Sequence, residues 1–138
     1  MSISKAEMPV RQVLLPLSRF PVVTPTTLLK TTLELMNKLR LGVAAVIDGD
    51  GKLQGVFTDG DVRRLLMRDQ KPFPHLFADD IIRHVTRNPT TIGPDASLAQ
   101  AIKVMESKEI WDLPVVDVDG KLVGLLHLHP AIKAVLEL

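Results

Sequence analysis

The chain has 138 residues, of which 46% are hydrophobic and 24% charged, and its formal net charge is +1. These values predict one globular domain or two small ones, and they leave no broadly basic surface for nucleic acid. The absence of cysteine excludes a thiol nucleophile and a disulfide framework. No apolar run approaches the roughly 20 residues of a membrane-spanning helix, and residues 1–8 lack the apolar core of a secretion signal. We therefore expect a cytoplasmic protein that binds neither membrane nor nucleic acid.

The chain repeats itself at a fixed offset of 69 residues. VIDGDGKLQG at 46–55 aligns with VVDVDGKLVG at 115–124, and seven of the ten positions are identical. Such self-similarity indicates a duplicated structural unit. The predicted repeats cover residues 10–67 and 79–135. The connection between them, 68–78, contains two prolines and is predicted to be rich in turns.

In chain order, the first repeat begins with a Thr-Pro break at residues 24–25. Leu29, Leu33 and Met36 then follow helical spacing. A β-branched apolar run at 43–47 predicts a buried strand, DGDG at 48–51 predicts a hairpin turn, and 53–57 predicts the return strand. A second helix is predicted over 59–67.

The second repeat has the same order. Leu98, Ala101, Ile102 and Met105 predict a helix, with Ser97 as its N-cap. Strands are predicted at 113–116 and 122–126, joined by the turn DVDG at 117–120, and a last helix at 130–136.

The predicted fold class is therefore mixed α/β (α+β), with two units of helix, strand, strand, helix. One unit of about 55 residues is marginally stable alone. We expect two copies to pack their small sheets around a pseudo-twofold axis. Such a pair offers two equivalent clefts, and a ligand bound there touches both repeats.

The segment GVFTDGDVRR at 55–64 has the composition of a ligand site. Thr58 is a good N-cap for the helix that follows, and free N–H groups at a helix start suit a phosphate. Asp61 can accept hydrogen bonds from a ribose diol. Arg63 and Arg64 supply forked donors for phosphate or carboxylate. Asp59 lies at the same junction and completes the candidate set.

The duplication, the strand LPVVD at 113–117 and the Gly-x-x-Thr-x-x-Asp pattern at 55–61 resemble the CBS domain in its tandem arrangement, over nearly the whole chain. The resemblance implies a regulatory module that senses an adenosine or another nucleotide and dimerises through its helices. In that family, Thr and Asp at the strand–helix junction contact phosphate and ribose, which implies these roles for Thr58 and Asp61.

The second repeat departs from this pattern, with His127 at the position of Thr58 and Pro130 at the position of Asp61. Proline cannot bind a diol, although it suits the first turn of a helix. We therefore expect one nucleotide site, which His127 or His129 could reach through a phosphate. If the strand continued far enough, these two histidines would share one of its faces.

TDGDVRRLL at 58–66 together with GLLHLH at 124–129 resembles, more specifically, the CBS pair that ends bacterial D-arabinose 5-phosphate isomerases, which serve Kdo synthesis for lipopolysaccharide or capsule. The catalytic sugar-isomerase domain is absent from this chain, which implies a partner domain in cis or in trans. The resemblance implies an adenine nucleotide or CMP-Kdo as the ligand. Apart from that ligand, no cofactor is expected. In these isomerases the second repeat usually has Asp where Pro130 stands.

Three functional hypotheses follow. The leading one is a non-catalytic regulatory module that binds a nucleotide or nucleotide-sugar. The alternative is a ligand-free structural or dimerisation module in which Thr58 only caps a helix. An enzyme would require activity of this chain alone, for instance with ribulose 5-phosphate, and no catalytic residue is predicted.

Metal chemistry is not predicted either. The two histidines have no evident third ligand. The paired aspartates at 48, 50, 117 and 119 lack the closing Glu of a calcium loop, and they suit turns better.

Overall fold

The structure, a computed structural model, describes residues 5–136. The inference about a secretion signal uses residues 1–8, of which 1–4 lie outside the described residues. The chain forms two compact units. The first unit is Ser18–Pro89, and the described part of the second unit is 5–17 together with 90–136. Five α-helices and two small sheets among the described residues confirm the mixed α/β class.

The first unit contains a three-stranded sheet of order β1-β2-β3. β2 pairs with β1 in parallel and with β3 antiparallel. In chain order the elements are β1 (Val22–Val23), α1 (Leu29–Leu39), β2 (Val43–Ile47), β3 (Leu53–Thr58), α2 (Asp59–Arg68) and α3 (Phe73–Phe77). A 3-10 turn follows at Ile81–Arg83. The short helix α3 lies within the connection that was expected to be rich in turns.

The second unit contains a two-stranded antiparallel sheet of β4 and β5. Its elements are 3-10 turns at Lys5–Glu7 and Val10–Gln12, then α4 (Leu98–Lys108), β4 (Asp112–Val116), β5 (Leu122–His127) and α5 (Leu128–Leu136). Among the described residues, no helix is both long enough and apolar enough to cross a bilayer.

Each unit has its own hydrophobic core. In the first unit, Phe57 of β3 is fully buried and packs with Leu29 and Leu76, which α1 and α3 contribute. In the second unit, Leu126 of β5 and Leu98 of α4 are fully buried in the equivalent core. Alternation along the strands places Phe57 and Leu126 on the face that the helices cover.

The sequence repeat is reproduced in detail by the backbone. Both α1 and α4 are capped at the C-terminus by a residue with left-handed dihedral angles, Arg40 after α1 and Glu109 after α4. Both predicted hairpin turns form: the carboxylate of Asp48 accepts hydrogen bonds from two backbone N–H groups, and Asp117 does the same. The glycines that close these turns have φ angles of 83° and 82°, which favour glycine over other residues.

The compact units differ from the sequence repeats in their boundaries. Each hairpin pairs with a segment that precedes the other repeat's first helix. In the first unit, Val56 of β3 exchanges backbone hydrogen bonds with Thr86. In the second unit, Leu125 of β5 does so with Leu15. The segment 79–89 therefore packs with the strands of the first repeat, and residues 5–17 pack with those of the second.

The last helix begins earlier than the sequence indicated. α5 begins at Leu128, two residues before Pro130, and β5 ends at His127. His127 and His129 consequently lie on different elements, and they do not share a strand face.

Candidate functional site

The junction between β3 and α2 holds the residues with the strongest functional signal. β3 ends at Thr58, whose extended backbone turns the chain into the helix. Thr58 Oγ1 accepts a hydrogen bond from the N–H of Asp61 at 3.2 Å, and the carboxylate of Asp61 accepts one from the N–H of Thr58 at 2.9 Å. This reciprocal capping box satisfies two backbone donors that the helix would otherwise leave free.

Asp61 is the centre of a polar cluster, although it is only 9% exposed. Its Oδ1 accepts from Arg64 Nη2 at 2.6 Å and from Thr86 Oγ1 at 3.3 Å. Its Oδ2 accepts from both the backbone and the hydroxyl of Thr58. Four donors on one carboxylate make a buried charge tolerable, because they replace the water that burial removes.

The remaining residues of the predicted set lie apart from this cluster. The N–H of Asp59 donates to the carbonyl of Gly42 at 3.0 Å, and its carboxylate lies so close to Gly42 that a Cβ there would be 2.5 Å from Oδ2. Within residues 5–136, the side chain of Asp59 makes no hydrogen bond to any member of this cluster. Arg63 is exposed on α2. The structure thus brings together Thr58, Asp61 and Arg64.

The equivalent junction in the second unit has different chemistry. The N–H of Leu128 donates to the carbonyl of Trp111 at 2.8 Å, which reproduces the bond between Asp59 and Gly42. His127 Nδ1 lies 2.6 Å from Asp112 Oδ1, so this histidine already has a carboxylate partner. Pro130 stands where Asp61 would be, and a capping box of the α2 kind cannot form there.

His129 is exposed, and it borders an open groove of about 340 Å³ on α5 with Ile132, Lys133 and Leu136. Across the described part of the chain there is no group of three or more metal-ligating side chains.

Thr86 is a site residue that the sequence did not indicate. It lies 25 residues after Asp61, in the segment before the second repeat. Its contact with Asp61 exists because the backbone of Thr86 pairs with Val56 next to the junction. A lone threonine in a loop has no pattern of its own, so only the strand pairing could have revealed it.

Comparison with known proteins identifies the repeat. The family model for the CBS domain matches residues 10–68 and 78–136. The arabinose 5-phosphate isomerase of Pseudomonas aeruginosa is 37% identical over 114 residues, which are 83% of this chain and 34% of the isomerase. The probable arabinose 5-phosphate isomerase of Haemophilus influenzae is 37% identical over 110 residues, 80% of this chain and 32% of that protein. This chain therefore spans about a third of the length of these relatives.

Solved structures agree with this result. The crystal structure of CBSX2 in complex with AMP has a TM-score of 0.81 and 29% identity, and the alignment covers 93% of this chain and 96% of CBSX2. The structure of CBSX2 from Arabidopsis thaliana has a TM-score of 0.77 and 28% identity, covering 93% of this chain and 94% of that one. The resemblance inferred from the sequence is thereby confirmed: the chain belongs to the CBS domain family and carries the domain as a tandem pair.

Proposed function

We propose that this chain is a non-catalytic regulatory module that binds a nucleotide or nucleotide-sugar at the junction of β3 and α2. The observation that carries the proposal is the cluster of Thr58, Asp61 and Arg64 at the start of a helix that directly follows a buried strand. The 29% identity to CBSX2, which was solved in complex with AMP, supports a nucleotide as the ligand class.

Each group in the cluster has a distinct role in this proposal. Thr58 and the positive dipole end of α2 face a phosphate. The N–H groups of Asp59 and Asp61 are already bonded to Gly42 and Thr58, so the charge at the helix start attracts the phosphate rather than these two donors. Asp61 accepts hydrogen bonds from the ribose hydroxyls. Arg64, whose side chain is 63% exposed, leaves Asp61 and pairs with the phosphate. Arg63 adds positive charge on the same helix. The role of His127 or His129 as a further phosphate contact stays a prediction.

The consequence of binding is regulation of a partner. Since the relatives with arabinose 5-phosphate isomerase activity in their names are about three times longer than the matched region, the partner we propose is a sugar-isomerase domain, in cis or in trans. CMP-Kdo and adenine nucleotides are the candidate ligands. A ligand regulates only through a difference in its affinity for two arrangements of the protein.

A structural or dimerisation module is the second candidate. Two observations favour it: the carboxylate of Asp61 is already occupied by four donors, and Leu66, Met67 and Phe73 expose apolar side chains on α2 and α3. In this case Thr58 and Asp61 only cap α2, and the apolar side chains meet a second copy of the chain.

A thermal-shift series separates the two candidates. The ligands are AMP, ADP, ATP, S-adenosylmethionine, CMP and CMP-Kdo, titrated to the millimolar range against the wild type, Asp61→Asn and the hairpin-tip control Asp50→Asn. A ligand that binds only the folded state raises the melting temperature with concentration. We expect this rise in the wild type and in Asp50→Asn, and its loss in Asp61→Asn, each measured against the variant's own midpoint.

Two outcomes would contradict the proposal. If no ligand shifts the wild type, the structural candidate replaces the regulatory one. If a ligand shifts Asp61→Asn as much as the wild type, the nucleotide binds elsewhere. A parallel assay of the chain with ribulose 5-phosphate is expected to show no isomerisation, and turnover there would make the chain an enzyme.

A further inference from the structure

A second polar surface lies at the opposite end of α2 from Thr58. An open groove of about 480 Å³ is lined by Arg68, Asp69, Gln70, Lys71, Asp79, Arg83 and His84. Since α2 has ten residues and rises about 1.5 Å per residue, the groove is about 15 Å along the helix from the junction with β3. None of its lining residues belongs to the cluster around Asp61.

Asp79 organises the wall of this groove. It is 8% exposed, and its Oδ2 lies 2.9 Å from His84 Nε2. The hydrogen bond with His84 lowers the pKa of Asp79; burial opposes this, and the charges of Lys71 and Arg83 add to the lowering. The backbone carbonyl of Asp79 also accepts from the N–H of Leu29, so the same residue holds the start of α1.

The three cations of the groove are only loosely neutralised. Arg83 Nη1 is 3.3 Å from Asp79 Oδ1 and Lys71 Nζ is 3.5 Å from Asp79 Oδ2. Arg68 Nε is 3.4 Å from Asp69 Oδ1. A well-formed bond between a cationic N–H and a carboxylate is about 2.7 to 2.9 Å long. Three cations therefore face two carboxylates through long contacts, and within residues 5–136 most of their N–H donors have no other acceptor.

The wall also contains a buried polar atom that lacks a hydrogen-bond partner within residues 5–136. The side chain of His84 is 7% exposed, and its Nδ1 is buried without a hydrogen-bond partner among the described residues. Buried polar atoms without partners are rare in proteins, and such an atom is often completed by water or a bound ion.

From these observations we infer that the groove between the end of α2 and the turn Ile81–Arg83 is a second ligand site, which binds the phosphate group of a small anionic molecule through Arg68, Lys71 and Arg83. Guanidinium groups match phosphate with two parallel N–H donors, and lysine adds a mobile point charge. All three side chains are substantially exposed, at 67%, 43% and 61%, so they can turn toward an entering anion. Asp79 orients Lys71 and Arg83, and Asp69 holds Arg68, so the three cations line one side of the groove.

The test uses inorganic pyrophosphate as the probe and two-dimensional amide NMR of the chain as the readout, at constant ionic strength. We expect saturable shifts confined to residues 68–71 and 79–84. Arg83→Gln and Lys71→Gln should each weaken pyrophosphate binding about fivefold, as loss of one exposed charge-assisted contact predicts. Arg19→Gln removes an equal charge from an exposed position of the same unit outside the groove, and it should leave the affinity unchanged.

The inference is overturned if pyrophosphate produces only small, non-saturating shifts spread over the chain, or if Arg19→Gln weakens binding as much as Arg83→Gln. It is also overturned if the shifts lie at the junction of β3 and α2. The two sites have no residue in common. The location of the shifts therefore distinguishes a failure of this inference from a failure of the nucleotide proposal. Amide spectra of each variant confirm that it is folded.

Discussion

Thr86 Oγ1 donates a hydrogen bond to Asp61 Oδ1 across 3.3 Å, although 25 residues separate the two in the chain. The contact ties the segment before the second repeat to the first turn of α2. Asp61 therefore depends on both the local capping box and a distant strand pairing for its position. In the nucleotide site that we propose, a carboxylate held from two sides would have little freedom left to lose on binding.

Replacing Thr86 by valine should weaken this tie. The variant keeps the side-chain shape and removes the hydroxyl donor, so we expect the free energy of unfolding to fall by about 0.5–1.5 kcal/mol. Thr26→Val is the control, because Thr26 is exposed in the same unit and its side chain makes no hydrogen bond to any of residues 5–136. Urea denaturation followed by circular dichroism measures both, and equal effects of the two substitutions would show that the contact with Asp61 contributes nothing.

Thr58→Ala should destabilise α2 by removing the side chain that caps it. The loss of an N-cap costs about 1 kcal/mol, with a range of about 0.5–2 kcal/mol. Thr58→Ser retains the hydroxyl and should restore most of the stability. The comparison is made by denaturant midpoint, and a serine variant as unstable as the alanine one would mean that the threonine methyl group, not the cap, is what matters.

Gly55 and Gly124 should not tolerate a side chain. A Cβ at Gly55 would lie 2.8 Å from the carbonyl oxygen of Thr86, and one at Gly124 would lie 2.8 Å from that of Leu15. We expect Gly55→Ala and Gly124→Ala each to cost about 1–3 kcal/mol, since rigid backbone must move. Gly49→Ala is the matched control, because within residues 5–136 no atom other than those of its chain neighbours lies within 4 Å of its Cβ position. Unchanged melting temperatures for the first two variants would contradict the strand pairing seen here.

Stability should fall at acid pH through Asp79. The hydrogen bond with His84 lowers the pKa of this carboxyl in the folded state below its ordinary value. A lowered folded-state pKa contributes stability above the unfolded-state pKa, and that contribution is lost as pH falls toward the folded-state value. Asp79→Asn should therefore reduce stability at pH 7 and flatten its dependence on pH below about 4. Unfolding measured from pH 2 to 7 tests this, with Asp50→Asn expected to retain the wild-type profile.

Much of the fold was evident from the sequence because its signals are local. The offset of 69 residues, the apolar strands and the DGDG and DVDG turns predicted the hairpins closely, and β2 has the predicted bounds of Val43–Ile47. Thr58 was predicted as the cap of α2, and the capping box confirms it. The binding roles of Thr58, Asp61 and the arginines stay predictions.

Other features depended on contacts between distant segments. The pairing of Thr86 with Val56, and of Leu15 with Leu125, follows from which strand edges are free, and no local pattern encodes that choice. The groove around Asp79 likewise combines residues from the end of α2, the connection and the 3-10 turn. His84 had no interpretable signal in the sequence. Sequence periodicity determines which residues form a strand or a helix, whereas the placement of isolated polar side chains is decided only when tertiary packing brings their partners into hydrogen-bond range.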